Sequence, residues 1–213
     1  MLEKMDAFFE ARLEGYDDHM RTDIEGALEF YPFTAEQLPE GQLLDLGCGT
    51  GLELESYFAR YPRAAVTGVD LSAGMLAALR EKFPHQNLNL IQGSYFDVPL
   101  GENCFDAAVS VESLHHFTQK AKTALYSKLH RALKAGGYFL LTDYFAPDDG
   151  YEAFYFQELR RLKAEQGIGD DDFYHYDTPL TVAHETQALK KAGFSKVELL
   201  KNWGATYCLK AWK

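Results

Sequence analysis

Leu43-Leu44-Asp45-Leu46-Gly47-Cys48-Gly49-Thr50-Gly51 decides how the rest of this chain is read. A short apolar run contains an acid near its end, and glycine then occupies every second position. The run predicts a buried strand turning sharply into a helix. Gly47, Gly49 and Gly51 let backbone approach a ligand where a Cβ would intrude. A dinucleotide fingerprint, G-x-G-x-x-G, needs glycine at position 52. This chain has Leu52, and its third glycine arrives early, at 51. That spacing argues against a nicotinamide dehydrogenase.

Working outward, strand-like and helix-like segments alternate, as a parallel sheet covered on both faces requires. Residues 43–46 predict the first strand and Leu52 to Arg60 a helix, stopped by Tyr61-Pro62. Residues 65–69 predict the second strand. Ser72 is placed to cap a helix that runs to Phe83 and closes at Pro84. Residues 88–91 and 106–111 predict two further strands. A helix over residues 119–133 is predicted to stop at Ala135-Gly136-Gly137, followed by a fifth strand over 138–142. Residues 1–41 are amphipathic and helical, and precede the first strand. Residues 145–180 are aromatic and acidic. We expect one domain over residues 1–213, with 1–41 as a helical cap and 145–180 as an insertion.

The run D-x-G-x-G-x-G, with Asp70 closing the next apolar segment Val66-Thr67-Gly68-Val69, resembles motif I of the class I S-adenosylmethionine (SAM)-dependent methyltransferases. The resemblance covers roughly residues 43–143 by motif and the whole chain by element order. It implies an α/β, Rossmann-like, seven-stranded and mostly parallel sheet, closed by an antiparallel hairpin from residues 197–200 and 206–212. It also implies SAM as cofactor and S-adenosyl-L-homocysteine as product. Asp45, Gly47, Cys48, Gly49 and Gly51 are then expected around the cofactor, with Asp70 accepting from two ribose hydroxyls. Leu71 and Met75 are expected at the adenine. Many relatives carry an acid where this chain has Ser94, so Ser94 or the backbone at Tyr95 is expected to take that role. Val111 is expected to pass the methionine end.

Composition bounds the partners. The chain has 213 residues, 46% hydrophobic and 25% charged, with a formal net charge of -11. An acidic chain begins at a disadvantage for nucleic acid, whose binding leans on phosphate neutralisation. Lys190, Lys191, Lys196 and Lys201 read as solvated lysines rather than a basic patch. No apolar run approaches the ~20 residues of a membrane span, and the charged start lacks a signal-peptide core. Cys48, Cys104 and Cys208 form no disulfide or zinc pattern, so no metal is expected. A cytoplasmic protein follows, as monomer or homodimer.

Methyl transfer from a sulfonium is an in-line displacement, which asks for alignment and, with a protonated nucleophile, a base. Leu114-His115-His116-Phe117 resembles the loop after motif IV in many small-molecule methyltransferases, so His115 and His116 are catalytic candidates beside the packing role most such residues have. The segment Tyr16-Asp17-Asp18-His19-Met20 resembles a helix that folds over the cofactor. It makes Tyr16 and His19 further candidates, and a plain core helix is the alternative. Tyr144, Tyr174 and His175 are expected on the substrate side. No [Asn/Asp]-Pro-Pro-[Tyr/Phe] run and no Pro-Cys occurs, which disfavours base-modifying subclasses. The leading expectation is a small-molecule acceptor; a tRNA or protein methyltransferase and a non-enzymatic SAM sensor are the alternatives.

Overall fold

The computed structural model describes residues 1–169 and 172–213. Three helices precede the sheet: α1 (Met5–Glu10), α2 (Tyr16–Thr22) and α3 (Ala27–Glu36). The alternating part runs β1 (Gln42–Leu46), α4 (Leu52–Arg60), β2 (Ala65–Asp70), α5 (Ala73–Lys82), β3 (Asn87–Gln92), β4 (Phe105–Val111), α6 (Gln119–Ala132) and β5 (Leu133–Tyr144). Then follow α7 (Asp149–Gln166), α8 (Val182–Lys191), β6 (Lys196–Trp203) and β7 (Thr206–Trp212). The sheet has seven strands in the order β3-β2-β1-β4-β5-β7-β6, with β7 antiparallel to both neighbours and the rest parallel. This is the α/β, mostly parallel sheet with an antiparallel C-terminal pair that the motifs imply.

Strand alternation splits the core into two clusters. Leu44 and Leu46 of β1 face one side, with Phe139 and Leu141 of β5 and with Leu125, Tyr126 and Leu129 of α6. Leu43 faces the other, with Leu140 of β5, Phe30 of α3, Tyr57 and Phe58 of α4, and Leu79 of α5. Successive side chains of a strand point to opposite faces, so both faces of the central strands are dry. Each fully buried Leu or Phe there contributes about 1.5–3 kcal/mol by area.

Element starts follow local chemistry. The Ser72 hydroxyl accepts from the Met75 N–H at 3.0 Å, and Thr118 and Thr181 cap α6 and α8 in the same way. Two boundaries differ from the sequence reading. Gly136 and Gly137 lie inside β5, which begins at Leu133, instead of stopping a helix. The pairing of β4 with β5 is irregular between Phe105 and Ala107, and Gly136 takes φ 78°. The glycines therefore accommodate a bulged strand. A Cβ on Gly137 would also lie 2.9 Å from the Asp106 carbonyl oxygen. The first strand of the C-terminal pair runs longer than expected, Lys196–Trp203, while the second spans Thr206–Trp212 as read, with the turn at Gly204-Ala205. Among the described residues, no helix is long and apolar enough to cross a membrane.

Within residues 145–180, of which positions 170 and 171 lie outside the described residues, α7 is followed by an irregular stretch over 172–180. That stretch meets the start of the chain: Met5 N–H donates to the Phe173 carbonyl, and His175 N–H to that of Glu3.

Candidate active site

In a sheet of this order, adjacent connections diverge between β1 and β4, and ligands bind at the carboxyl ends there. Two cavities lie at this position. The smaller, about 60 Å³, is lined by Gly47 and Gly49 of the first turn, Asp70, Leu71, Met75, Tyr95 and Val111, among others. The larger, about 760 Å³, is lined by aromatic residues including Phe8, Tyr144 and Trp203, and by the polar groups His19, His115, His175 and Asp177. Phe9, Tyr16, Glu112 and His116 line both.

The turn after β1 has the backbone its glycines predict. Gly47 and Gly49 take φ 72° and 46°, in the left-handed region. A Cβ on Gly47 would lie 2.0 Å from Ser113 Oγ, whereas one on Gly49 would project into open space. Asp70 at the end of β2 accepts from Gly49 N–H on Oδ2 and from Ser72 N–H on Oδ1, both at 2.9 Å. Each carboxylate oxygen retains a further acceptor site, which suits a vicinal diol. Burial raises its pKa, and those backbone donors oppose the rise.

Asp45 is buried, and neither of its oxygens has a partner among the described residues. Burial and the neighbouring Glu53 carboxyl push its pKa well up. Cys48 is buried under Gly68, Gly51 packs on Leu54 and Leu79, and Ser94 Oγ accepts from Phe96 N–H. These four residues stand behind the smaller cavity rather than on its lining. Tyr95 reaches it instead, its hydroxyl 3.3 Å from the Ser113 carbonyl.

The histidines belong to a network drawn from three parts of the chain. Asp143, at the end of β5, sits beside the loop after β4 because those strands are paired. Its Oδ2 accepts from Leu114 N–H at 2.9 Å, and its Oδ1 lies 2.6 Å from His115 Nδ1. Asp177 comes from the irregular stretch, anchored where Thr178 N–H donates to the His115 carbonyl at 2.8 Å. Its Oδ1 is 3.5 Å from His115 Nε2 and 3.3 Å from His116 Nδ1. His116 Nδ1 is also 3.3 Å from the Tyr176 carbonyl oxygen.

Burial works against charge on His115, but Asp143 and Asp177 overcome it and raise its pKa well above the usual imidazole range. Burial and the adjacent His115 lower that of His116. Burial likewise brings His175 down to about 4; its ring stacks on Phe8 with centroids 3.4 Å apart.

Glu112 follows β4 with φ 48°, rare for a residue with a side chain. Its Oε1 accepts from Thr206 Oγ1 at 2.9 Å. Burial, with Asp143 nearby, raises its pKa to about 7. Tyr16 stays a phenol, its pKa pushed up by burial and by the Asp70 charge.

Of the residues expected on the acceptor side, Tyr16, His19, His115, His116, Tyr144 and His175 line the larger cavity. Tyr174 pairs with Lys4 instead, outside both linings. Sequence reasoning did not single out Glu112, Asp143 or Asp177 as site residues. An acid just past a strand's carboxyl end, the logic applied to Asp70, also describes Glu112 and Asp143.

Residues 43–137 match the family described as "Methyltransferase domain". Demethylmenaquinone methyltransferase of Chlorobaculum tepidum is 31% identical over 170 residues, covering 75% of this chain and 67% of that protein. Sterol 24-C-methyltransferase of Gibberella zeae is 29% identical over 165 residues, 73% of this chain, which spans only 40% of that relative. A SAM-dependent methyltransferase from Thermotoga maritima shares the fold with TM-score 0.68 at 20% identity, over 98% of this chain and all of that one. Sequence match, strand order and the glycine turn at the switch point agree. The chain belongs to the class I SAM-dependent methyltransferases.

Proposed function

We propose that this chain transfers a methyl group from SAM to a small molecule held in the larger cavity. One observation carries the reading: the two cavities share a wall of Phe9, Tyr16, Glu112 and His116. A donor bound along Gly47, Gly49 and Asp70 and an acceptor in the larger cavity meet across that wall. When bound, SAM supplies an electrophilic methyl on a sulfonium, with a neutral thioether as leaving group. The chain's own work is alignment, exclusion of water and placement of charge. Glu112, buried and steadied by Thr206, puts a carboxyl where the transferring groups meet.

The donor's partners suit the residues present. Asp70 has spare acceptor sites for a ribose diol, and Gly49 leaves space where a Cβ would point. The larger cavity is walled by Phe8, Phe9, Tyr144 and Trp203, which favours an acceptor with a flat, apolar skeleton. The substrates named for relatives, a demethylmenaquinone and a sterol, have that character.

Calorimetry with SAM tests the donor half. Asp70→Ala removes acceptors for two hydroxyl groups, each hydrogen bond to a charged group being worth roughly 1.5–3 kcal/mol. A loss of at least about 100-fold in affinity is expected with the fold retained, and an unchanged affinity refutes the site. A screen of small molecules with methyl-labelled SAM tests the acceptor half. Label should enter flat apolar compounds, and Trp203→Ala should raise KM for them. Label entering only tRNA or protein refutes this reading.

A further inference from the structure

We infer that His115, His116 and Asp177 form a binding site for a divalent transition-metal ion of the zinc class, facing the larger cavity. The ligand atoms are His115 Nε2, His116 Nδ1 and Asp177 Oδ1, which all lie within 4.8 Å of one another. The chemistry assigned to the metal rests on the methyl-transfer reading above; the site itself does not.

The distances distinguish a metal cage from an ion-pair network. Charge-assisted hydrogen bonds run about 2.7–2.9 Å. In this loop His115 Nδ1 reaches Asp143 at 2.6 Å, so tight pairing is attainable. Asp177 Oδ1 nevertheless stands 3.5 Å from His115 Nε2 and 3.3 Å from His116 Nδ1. Tetrahedral ligands with bonds of about 2.0–2.1 Å lie about 3.3–3.4 Å apart. These two separations are those of groups that share an ion, and the third, between the ring nitrogens, lies within 4.8 Å.

The surroundings agree. A metal-bound histidine usually donates its other ring N–H to a carboxylate, which fixes tautomer and orientation. His115 has that partner in Asp143, itself held by the N–H groups of Leu114 and Tyr144. Both imidazoles are buried, while Asp177 is about half exposed and gives an ion access. All three residues line the 760 Å³ cavity, so a fourth position faces the acceptor, as in catalytic rather than structural zinc sites. Two nitrogens and one carboxylate suit zinc-class ions better than magnesium or calcium.

The class of acceptor follows: a molecule presenting a hydroxyl or thiol that an ion can make acidic at neutral pH. Its heteroatom gives a proton to solvent and forms the bond to the methyl carbon. The carbon–sulfur bond breaks with its electron pair kept by sulfur. The metal changes no oxidation state.

Stripped protein titrated with Co²⁺ should take up one ion per chain, with ligand-field absorption of a low-coordinate N/O site that Zn²⁺ displaces. Asp177→Asn and His115→Ala should abolish stoichiometric uptake, and Asp143→Asn should weaken it about 10–100-fold. His85→Ala, at an exposed histidine far along the chain, should leave it intact. Asp177 is solvent-accessible, so Asp177→Asn remains informative if His115→Ala fails to fold. Wild-type protein that binds SAM but takes up neither ion overturns the inference, as does uptake indifferent to Asp177→Asn. Protein that takes up the ion but binds no SAM refutes the methyl-transfer reading and leaves the metal site standing.

Discussion

At the scale of single residues, Asp45 and Glu53 are a costly pair to bury. Both carboxyls are buried, and no donor reaches either oxygen of Asp45 or Oε1 of Glu53 among the described residues. Burial raises both pKa values; Glu53 pushes that of Asp45 up further, whereas Asp45 opposes the rise at Glu53. The folded state therefore holds protons that the unfolded chain has released. Stability is greatest below the unfolded carboxyl range and falls as pH rises toward the raised folded values. Glu53→Gln removes one acid and provides an amide donor near Asp45. It should stabilise the cofactor-free protein by about 1–2 kcal/mol at about pH 8 and by much less at about pH 5. Urea unfolding at the two pH values checks this; an equal effect at both would show that the carboxyls do not titrate across that interval.

What the sequence revealed at this scale was local. The glycine turn, Asp70 and the Ser72 cap depend on near neighbours in the chain, and they stood out as patterns. The cluster of His115, His116, Asp143 and Asp177 did not, because only the pairing of β4 with β5 and the return of the stretch after α7 bring it together. The paired histidines were visible; their partners lie 28 residues and more away.

At the scale of elements, strands were legible because apolar runs bounded by turn residues mark them well. Gly136-Gly137 misled because glycine serves a helix stop and a bulged strand equally, and only the β4 edge decides between them. The packing of α6 on α8 was not legible either. There, Lys122 Nζ lies 2.6 Å from Glu185 Oε2, and the Tyr126 hydroxyl donates to Oε1 of the same carboxylate. Both charged side chains are buried. Removing one partner strands the other: Lys122→Met should cost about 3–5 kcal/mol. Lys122→Met with Glu185→Leu should recover most of that loss, since an apolar pair escapes the desolvation penalty of two buried ions. Thermal melts of the single and double variants decide it. A double variant as unstable as the single one would mean that the contact holds α6 and α8 together by more than charge compensation.

At the scale of the whole molecule, α1 and the start of α2 cover the smaller cavity beside Gly47 and Asp70 as a cap, while α3 packs on α4 in the core. Glu10 Oε2 accepts from Ser72 Oγ at 2.6 Å and from Gly74 N–H at 3.1 Å, at the start of α5, where the helix dipole favours an anion. Arg21 pairs with Glu55 of α4, and Asp17 accepts from Thr50 and from Lys82. Met5, Asp6 and Phe9 of α1 wall the smaller cavity. At about 60 Å³ that cavity is far below the ~300 Å³ of the smallest ordinary ligand sites. A nucleoside fits beside Asp70 only if α1 swings away from α5, which breaks both Glu10 contacts. Donor association should then be gated: in stopped-flow experiments that follow Trp203, the observed rate should level off as SAM concentration rises. Glu10→Ala removes the contacts that hold the cap closed. Hydrogen bonds to a charged group are worth roughly 1.5–3 kcal/mol, so the plateau should rise about tenfold or more. The dissociation rate should rise with it, because the same contacts re-form over bound donor. A rate that climbs linearly with SAM and ignores Glu10→Ala would show that the cap never stands between donor and site.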